Sequence, residues 1–289
     1  MLKPWLLAAR PKTLSAAVVP VLMGSALAAR ESAGVRWWVF FCALMGALLI
    51  QVATNLINDA LDFKKGADTA ERIGPIRVTQ AGLMSADTVL RAAYACLFLA
   101  ALCGIPLLLR GGWPMLVVGV ASIAMAYAYT GGPYPLAYHG LGEIFVIVFF
   151  GFVAVGGTFY AHTLHLTQSA LLAGFAAGSL ATVLIVINNL RDVEGDRRSN
   201  KRTTVVRFGE TFARVEISLF ALAPYGAVAV IAWMRSQYGL LLTLGALPLA
   251  VTVIVRSWRS GGRELNPALA FGGAVQWLFG ILFVIGSMI

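Results

Sequence analysis

Between Asn55 and Gly82 the chain reads NLINDALDFKKGADTAERIGPIRVTQAG. Asp59, Asp62, Asp68 and Glu71 close an apolar run there, among Lys64, Lys65, Arg72 and Arg77. A helix turns by about 100° per residue, which would bring Asn55, Asp59 and Asp62 within about 60° of one another on one face. Oxygen donors so grouped suit a hard divalent cation. Mg²⁺ keeps part of its water shell and commonly shares its other positions with substrate phosphates. Lysines and arginines alongside are the usual partners of phosphate oxygens. The chemistry this stretch could do is to hold a metal-bound diphosphate.

A second stretch, VINNLRDVEGDRRSNKRTTVVRFG, repeats the theme. Asn188, Asp192 and Asp196 follow at intervals of four, each offset by only about 40° around a helix. Lys201, Arg202 and Arg207 come soon after, at a distance that lets a loop fold back over phosphate. One such cluster at a helix end reads as solvated loop charge. Two change that reading. Seven of the thirteen acidic residues (Asp59, Asp62, Asp68, Glu71, Asp192, Glu194 and Asp196) fall in these two windows. Brought together without cations they would repel, so their pairing asks for metal.

The elements that must position them are membrane helices. Of 289 residues, 59% are hydrophobic and 12% charged, about half the charge of a soluble domain. Apolar runs at 13–29, 37–58, 88–109, 113–130, 141–161, 169–190, 212–234, 238–255 and 267–288 predict nine spans. The fold class is all-α and polytopic, a single membrane-embedded domain over 1–289. The acidic windows lie in its two long charged connections, 59–87 and 191–211. Counting lysine and arginine in alternate loops gives eighteen on the side of the N-terminus and four on the other. That bias puts the N-terminus and both acidic loops in the cytoplasm, with the chain in the cytoplasmic (inner) membrane. Asn58-Asp59 ends the second run and Asn189 to Asp192 the sixth, four runs later, which suggests two pseudo-repeated four-helix halves and a ninth helix.

Other classes fare less well. The net charge of +9 sits in short loops between apolar runs, so nucleic acid is not an expected partner. Cys42, Cys96 and Cys103 lie inside apolar runs without metal-ligand spacing and read as small hydrophobes. The piece between Lys3 and Lys12 is too short for a signal-peptide core and reads as an amphipathic lead-in with Trp5 at the interface. A transporter of divalent cations or organic anions remains the alternative of another class, although such sites usually lie near mid-bilayer.

The motifs NxxNDxxDxxxGxD (Asn55 to Asp68), RxGPxR (Arg72 to Arg77), NNLRDxxxD (Asn188 to Asp196) and KRT (Lys201 to Thr203) resemble those of the UbiA superfamily of intramembrane prenyltransferases. The nearest branch prenylates 1,4-dihydroxy-2-naphthoate in menaquinone synthesis. Arg10 to Leu14, the Tyr129 to Pro133 turn and Leu141-Gly142-Glu143 also look like it. Gly66 stands where the broader pattern has a third aspartate, with Asp68 two residues later. Tyr138-His139 replaces a basic residue often found after the tyrosine-proline turn.

The resemblance implies Mg²⁺-dependent transfer of a polyprenyl group from an allylic polyprenyl diphosphate to that naphthoate, with loss of carbon dioxide and diphosphate. The runner-up acceptor is 4-hydroxybenzoate or another phenol. By the same resemblance Asp59, Asp62, Asp192 and Asp196 are the catalytic metal-holding residues, with Asn55 beside them. Asn58, Asp68, Arg72, Arg77, Asn188, Lys201 and Arg202 would meet the diphosphate. Tyr134, Tyr138 and Arg191 are candidates for the acceptor. The isoprenoid tail calls for a groove between helices, closed to water. Glu143 suits a helix N-terminus as well as substrate contact. His162 and His165 lie three apart, and Gln51 and Gln276 within spans need partners, lining a cavity or tying helices. Tyr129 joins Tyr134 and Tyr138 beside one turn, as interfacial belt or as acceptor wall.

Overall fold

The computed structural model describes residues 2–31, 34–66 and 73–289; Asp68, Glu71 and Arg72 lie outside the described residues. Among those described there are helices and short 3-10 turns and no strand. The helices are α1 (Leu2–Ala9), α2 (Ser15–Glu31), α3 (Trp37–Lys64), α4 (Ala86–Gly111), α5 (Trp113–Ala128), α6 (Gly142–Thr163), α7 (Gln168–Arg191), α8 (Val193–Arg198), α9 (Thr204–Phe208), α10 (Glu210–Arg235), α11 (Tyr238–Arg259) and α12 (Asn266–Met288).

Every predicted apolar run became helix; length and composition alone do not confirm the count of nine spans. Among the described residues seven helices are long and apolar enough to cross a membrane, and α1 with α2, bent by 50° at a break, passes only as a pair. The bend falls between Thr13 and Ser15, just after Arg10 takes a left-handed backbone (φ 51°) and Pro11, which lacks an amide hydrogen, opens a short 3-10 turn. Helix α5 has 16 residues against the roughly 20 a crossing needs. It is cut short by the Gly112 and Gly131-Gly132-Pro133 turns.

Helix α7 lies at the centre, more deeply buried than the other spans. With lipid as solvent, burial alone gains little, and helices associate by close packing of small residues. Gly174 and Gly178 of α7 meet Gly151 of α6 this way: a methyl on Gly178 would stand 2.8 Å from the Ile147 carbonyl oxygen. In α6 the stretch Ile147–Gly156 winds as a π-helix beside this contact. Val19 and Met23 of α2, Ile217 and Val228 of α10 and Phe279 and Phe283 of α12 complete one core around α7. A separate cluster joins Leu56 and Ile57 of α3, Val89 and Ala93 of α4, and Val78 from the connection between them. Each acidic window thus begins at the end of a helix held in its own core.

Candidate active site

Helix α3 runs on through the first acidic window to Lys64, so Asn55, Asn58, Asp59 and Asp62 are helical as their spacing predicts. Asp59 is 1% exposed and faces its own connection. It accepts from the backbone N–H groups of Val78 and Thr79, both at 3.0 Å, and from the Thr79 hydroxyl. Thr79 Oγ1 also lies 3.0 Å from the Asp59 carbonyl oxygen. Arg77, from the same connection, donates to the Asn58 carbonyl at 2.6 Å and pairs with Asp62 at 2.9 Å. Asn58 Oδ1 accepts from the Thr130 hydroxyl. Asn55 Nδ2 donates to the Ala9 carbonyl at 2.9 Å and to Thr13 Oγ1 at 3.0 Å, drawing the N-terminal break against α3. The described part of the first window is a folded scaffold in which Asp59 and Asp62 are already engaged.

The second window is looser. Asp192 ends α7 and is held by the fork of its neighbour Arg191, at 2.8 and 2.7 Å, while the buried Arg191 also reaches Asn266 at 3.1 Å. Asn188 Nδ2 donates to the Leu184 carbonyl at 2.9 Å, within α7. Asp196, on α8, is buried, and among the described residues its carboxylate has a long contact, 3.5 Å, from Lys201 to one oxygen. Its other oxygen, Oδ2, is buried with no hydrogen-bond partner among the described residues. Burial pushes the Asp196 carboxyl up to about 6, and the charges of Asp192 and Asp62 push the same way while Lys201 opposes them. Asp196 therefore senses acids from both windows.

Tyr138, in the turn Leu136–Tyr138, makes the join. Its hydroxyl donates to Asp62 at 2.9 Å, and its carbonyl accepts from the Arg202 N–H at 3.0 Å. Its ring has the Lys65 ammonium 4.5 Å and the Lys201 ammonium 6.0 Å from its centroid. Burial draws the Lys65 ammonium below its ordinary value, with Asp62 opposing. Tyr138, Arg202, Arg207 and His139 also border a cavity of ≈ 400 Å³. Tyr138 thus links the end of α3 to the Lys201–Arg202 stretch that follows α8, with lysines and arginines around it.

Do these residues suit a hard cation? Among the described residues no three carboxylates, histidines or cysteines stand ready around one ion. The acids are instead held by Arg77, Arg191 and the connection's backbone. The donor chemistry nonetheless fits, since Asp62, Asp192 and Asp196 offer carboxylate oxygens and the buried Asp196 Oδ2 has no hydrogen-bond partner among the described residues.

Beside the acids opens an apolar groove of ≈ 280 Å³. Its walls come from α2, α3, α4, α5 and α6, including Thr54 next to Asn55, and Phe145, whose ring centroid lies 5.1 Å from that of Tyr129. Along α3 it runs from Cys42 to Thr54, about 18 Å at the helical rise. Burial holds the Tyr129 phenol protonated well above its ordinary range.

Several flagged residues have other partners. Tyr134 is exposed and stacks on His139 with centroids 3.7 Å apart. Glu143 makes no cap to its own helix and accepts from Asn189 at 3.1 Å and Thr204 at 2.8 Å, tying α6, α7 and α9 together. His162 is buried on Ser25 at 3.1 Å, whereas His165 sits near the surface 3.0 Å from Glu31, so the two histidines share no ligand. The three cysteines are free thiols. Sequence reasoning gave no role to Thr13, Thr79 or Thr130, whose hydroxyls set the side chains of Asn55, Asp59 and Asn58. The motif around Arg10 to Leu14 was the available signal for Thr13.

The chain belongs to the UbiA prenyltransferase family, whose sequence profile matches residues 17–279. It is an integral membrane enzyme of that family. It is similar to the 1,4-dihydroxy-2-naphthoate octaprenyltransferase of Mycobacterium tuberculosis, 38% identical over 279 residues that cover 96% of this chain and 94% of the relative. The Escherichia coli octaprenyltransferase of the same name is 36% identical, covering 91% and 86%. In fold it matches a UbiA homolog from Archaeoglobus fulgidus bound to GPP and Mg²⁺, with TM-score 0.71 and 15% identity over 99% of this chain and 100% of that one.

Proposed function

We propose that this chain transfers a polyprenyl group from an allylic polyprenyl diphosphate to 1,4-dihydroxy-2-naphthoate, with Mg²⁺ bound at the acidic ends of α3 and α7. The observation that supports the reading is the bridge between the two windows, with the Tyr138 hydroxyl on Asp62 and the Lys201 ammonium 6.0 Å from the Tyr138 ring and 3.5 Å from Asp196, and with an apolar groove that reaches Thr54 on the same helix as Asp62. The relatives named for naphthoate prenylation, matched over nearly their whole length, support the choice of acceptor.

Asp62, Asp192 and Asp196 would hold the cation, with Asp59 and Asn55 fixing the shape of the helix end behind them. Bound there, Mg²⁺ would screen the charge that gathers on the leaving diphosphate. Lys201, Arg202 and Lys65 stand where they can pair with phosphate oxygens, joined by Arg77 once Asp62 turns to the metal. Asp68, Arg72 and Asn188 are assigned to the same diphosphate on the motif alone. The isoprenoid tail lies in the groove, away from water. The allylic C–O bond breaks and its electron pair leaves on diphosphate. The ring carbon that bears the carboxylate supplies the pair for the new C–C bond, and loss of carbon dioxide returns a pair to the ring. No strong base is needed on that route. Tyr138, with cations at its ring and Asp62 on its hydroxyl, positions the diphosphate side and leaves the acceptor to other walls. We place the acidic ends on the cytoplasmic side of the inner membrane, and take 1–289 as one catalytic domain.

Membranes containing the chain should join a polyprenyl diphosphate to dihydroxynaphthoate with Mg²⁺ and stop when a chelator removes it. Offered equal dihydroxynaphthoate and 4-hydroxybenzoate, they should prenylate the naphthoate; preference for hydroxybenzoate, or full turnover in excess chelator, would refute the reading.

A further inference from the structure

One turn before Asn55 on α3, Gln51 is 7% exposed and lines the apolar groove. The two ends of its amide are in different situations. Nε2 donates to Thr13 Oγ1 at 3.3 Å, while Oε1 is buried with no hydrogen-bond partner among the described residues. Thr13 Oγ1 gives its proton to the Arg10 carbonyl, 3.0 Å away, and accepts from Gln51 Nε2 and, at 3.0 Å, from Asn55 Nδ2. The carbonyl oxygen is left as a bare acceptor at the wall of the groove, next to the residues that precede the acids.

Gln276 provides the contrast. Its Oε1 accepts from Ser15 at 2.7 Å, so the end left without a partner among the described residues is Nε2, a donor; it lies outside the groove wall and ties α12 to α2. Gln51 instead offers an oxygen to whatever enters the groove, and a buried acceptor calls for a donor. On the functional reading above, two substrates come here. The isoprenoid chain has no polar hydrogen, and ionised diphosphate and carboxylate groups only accept. The ring hydroxyls of the aromatic acceptor are the donors.

We propose that Gln51 Oε1 accepts a hydrogen bond from a ring hydroxyl of the aromatic acceptor, holding the ring at the head of the groove within reach of the allylic carbon. This rests on the reading in which that acceptor is a hydroxylated naphthoate. Gln51 then sets acceptor choice and orientation, while Thr13 sets the rotamer of Gln51. The N-terminal break that carries Thr13 becomes a wall of the acceptor site.

The test uses the full chain with Mg²⁺, a polyprenyl diphosphate and three ligands: 1,4-dihydroxy-2-naphthoate and its two monohydroxy analogues, each lacking one ring hydroxyl, as competitors. In the wild type, one analogue should bind about tenfold more weakly than the parent, the worth of one neutral hydrogen bond. Gln51→Met should raise the KM for the naphthoate by about the same factor, leave the KM for the diphosphate unchanged, and bind parent and analogues alike. Should Gln51→Met not fold, the wild-type comparison of the parent with its analogues carries the test. A wild type that binds both analogues as tightly as the parent overturns the proposal without any variant. So does a Gln51→Met enzyme that discriminates as the wild type does. A wild type that makes no prenylated naphthoate at all overturns the functional reading and this inference with it.

Discussion

The two acidic ends look alike as strings of letters and differ as objects. At the end of α3, Asp59 spends both oxygens on Val78 and Thr79, and Asp62 is held by Arg77 and Tyr138. At the end of α7, Asp192 is held by its own neighbour, and Asp196 keeps a buried oxygen without a hydrogen-bond partner among the described residues. The first end is built around Asp59 and Asp62; the second leaves one carboxylate oxygen unsatisfied. On the proposed function, acids of the same type at matching helix ends divide the labour, one set shaping the site and the other completing it with the cation.

Breaking the second end should cost activity and spare the fold. Asp196→Asn is expected to lower prenyl transfer by at least about a hundredfold, with thermal unfolding in detergent unchanged or slightly raised, because a poorly partnered buried charge has been removed. Breaking the first end should do the reverse first. Asp59→Ala strips three hydrogen bonds from the connection and is expected to destabilise the protein by about 3 kcal/mol, read as a fall in unfolding midpoint that added Mg²⁺ does not restore. Equal stability losses at the two positions would erase the distinction.

Protonation sharpens the comparison further. Asp196 sits at about 6 in the folded chain against an ordinary 3.8. Between those values the folded state holds a proton that the unfolded state has released, so this group's contribution to stability falls as pH rises from about 4 to about 6 and stays low above. The charged form is also the one that binds a cation. Mg²⁺ should therefore raise the unfolding midpoint at pH 7.5 and do so far less at pH 5; equal stabilisation at both would remove Asp196 from the site. The smallest effect belongs to the join. Tyr138→Phe loses one hydrogen bond to Asp62 and should slow transfer by roughly fivefold, measured with saturating diphosphate.

Much of this was legible in the residues. Apolar runs located the helices, and the four-residue spacing of Asn188, Asp192 and Asp196 announced an acidic end before any coordinates. Among the described residues length and composition admit seven or eight spans where hydropathy counts nine, because hydropathy registers neither the 16-residue length of α5 nor the bend between α1 and α2. The clasp on Asp59 was invisible because its donors are backbone N–H groups of Val78 and Thr79, which every residue but proline carries. Tyr138 was flagged as acceptor wall, yet two lysines distant in sequence arrive at its ring. Gln51 could be read only as a buried amide; Thr13, thirty-eight residues earlier, decides which way that amide points.

The claim that α3 and α7 share one metal-bound diphosphate is most directly tested by replacing Mg²⁺ with Mn²⁺, adding a non-reacting prenyl thiolodiphosphate, and locating the metal by anomalous diffraction. The account predicts manganese in contact with the analogue's phosphates and with oxygens of both Asp62 and Asp196. Manganese touching acids of one helix end alone, or found away from both, would contradict it.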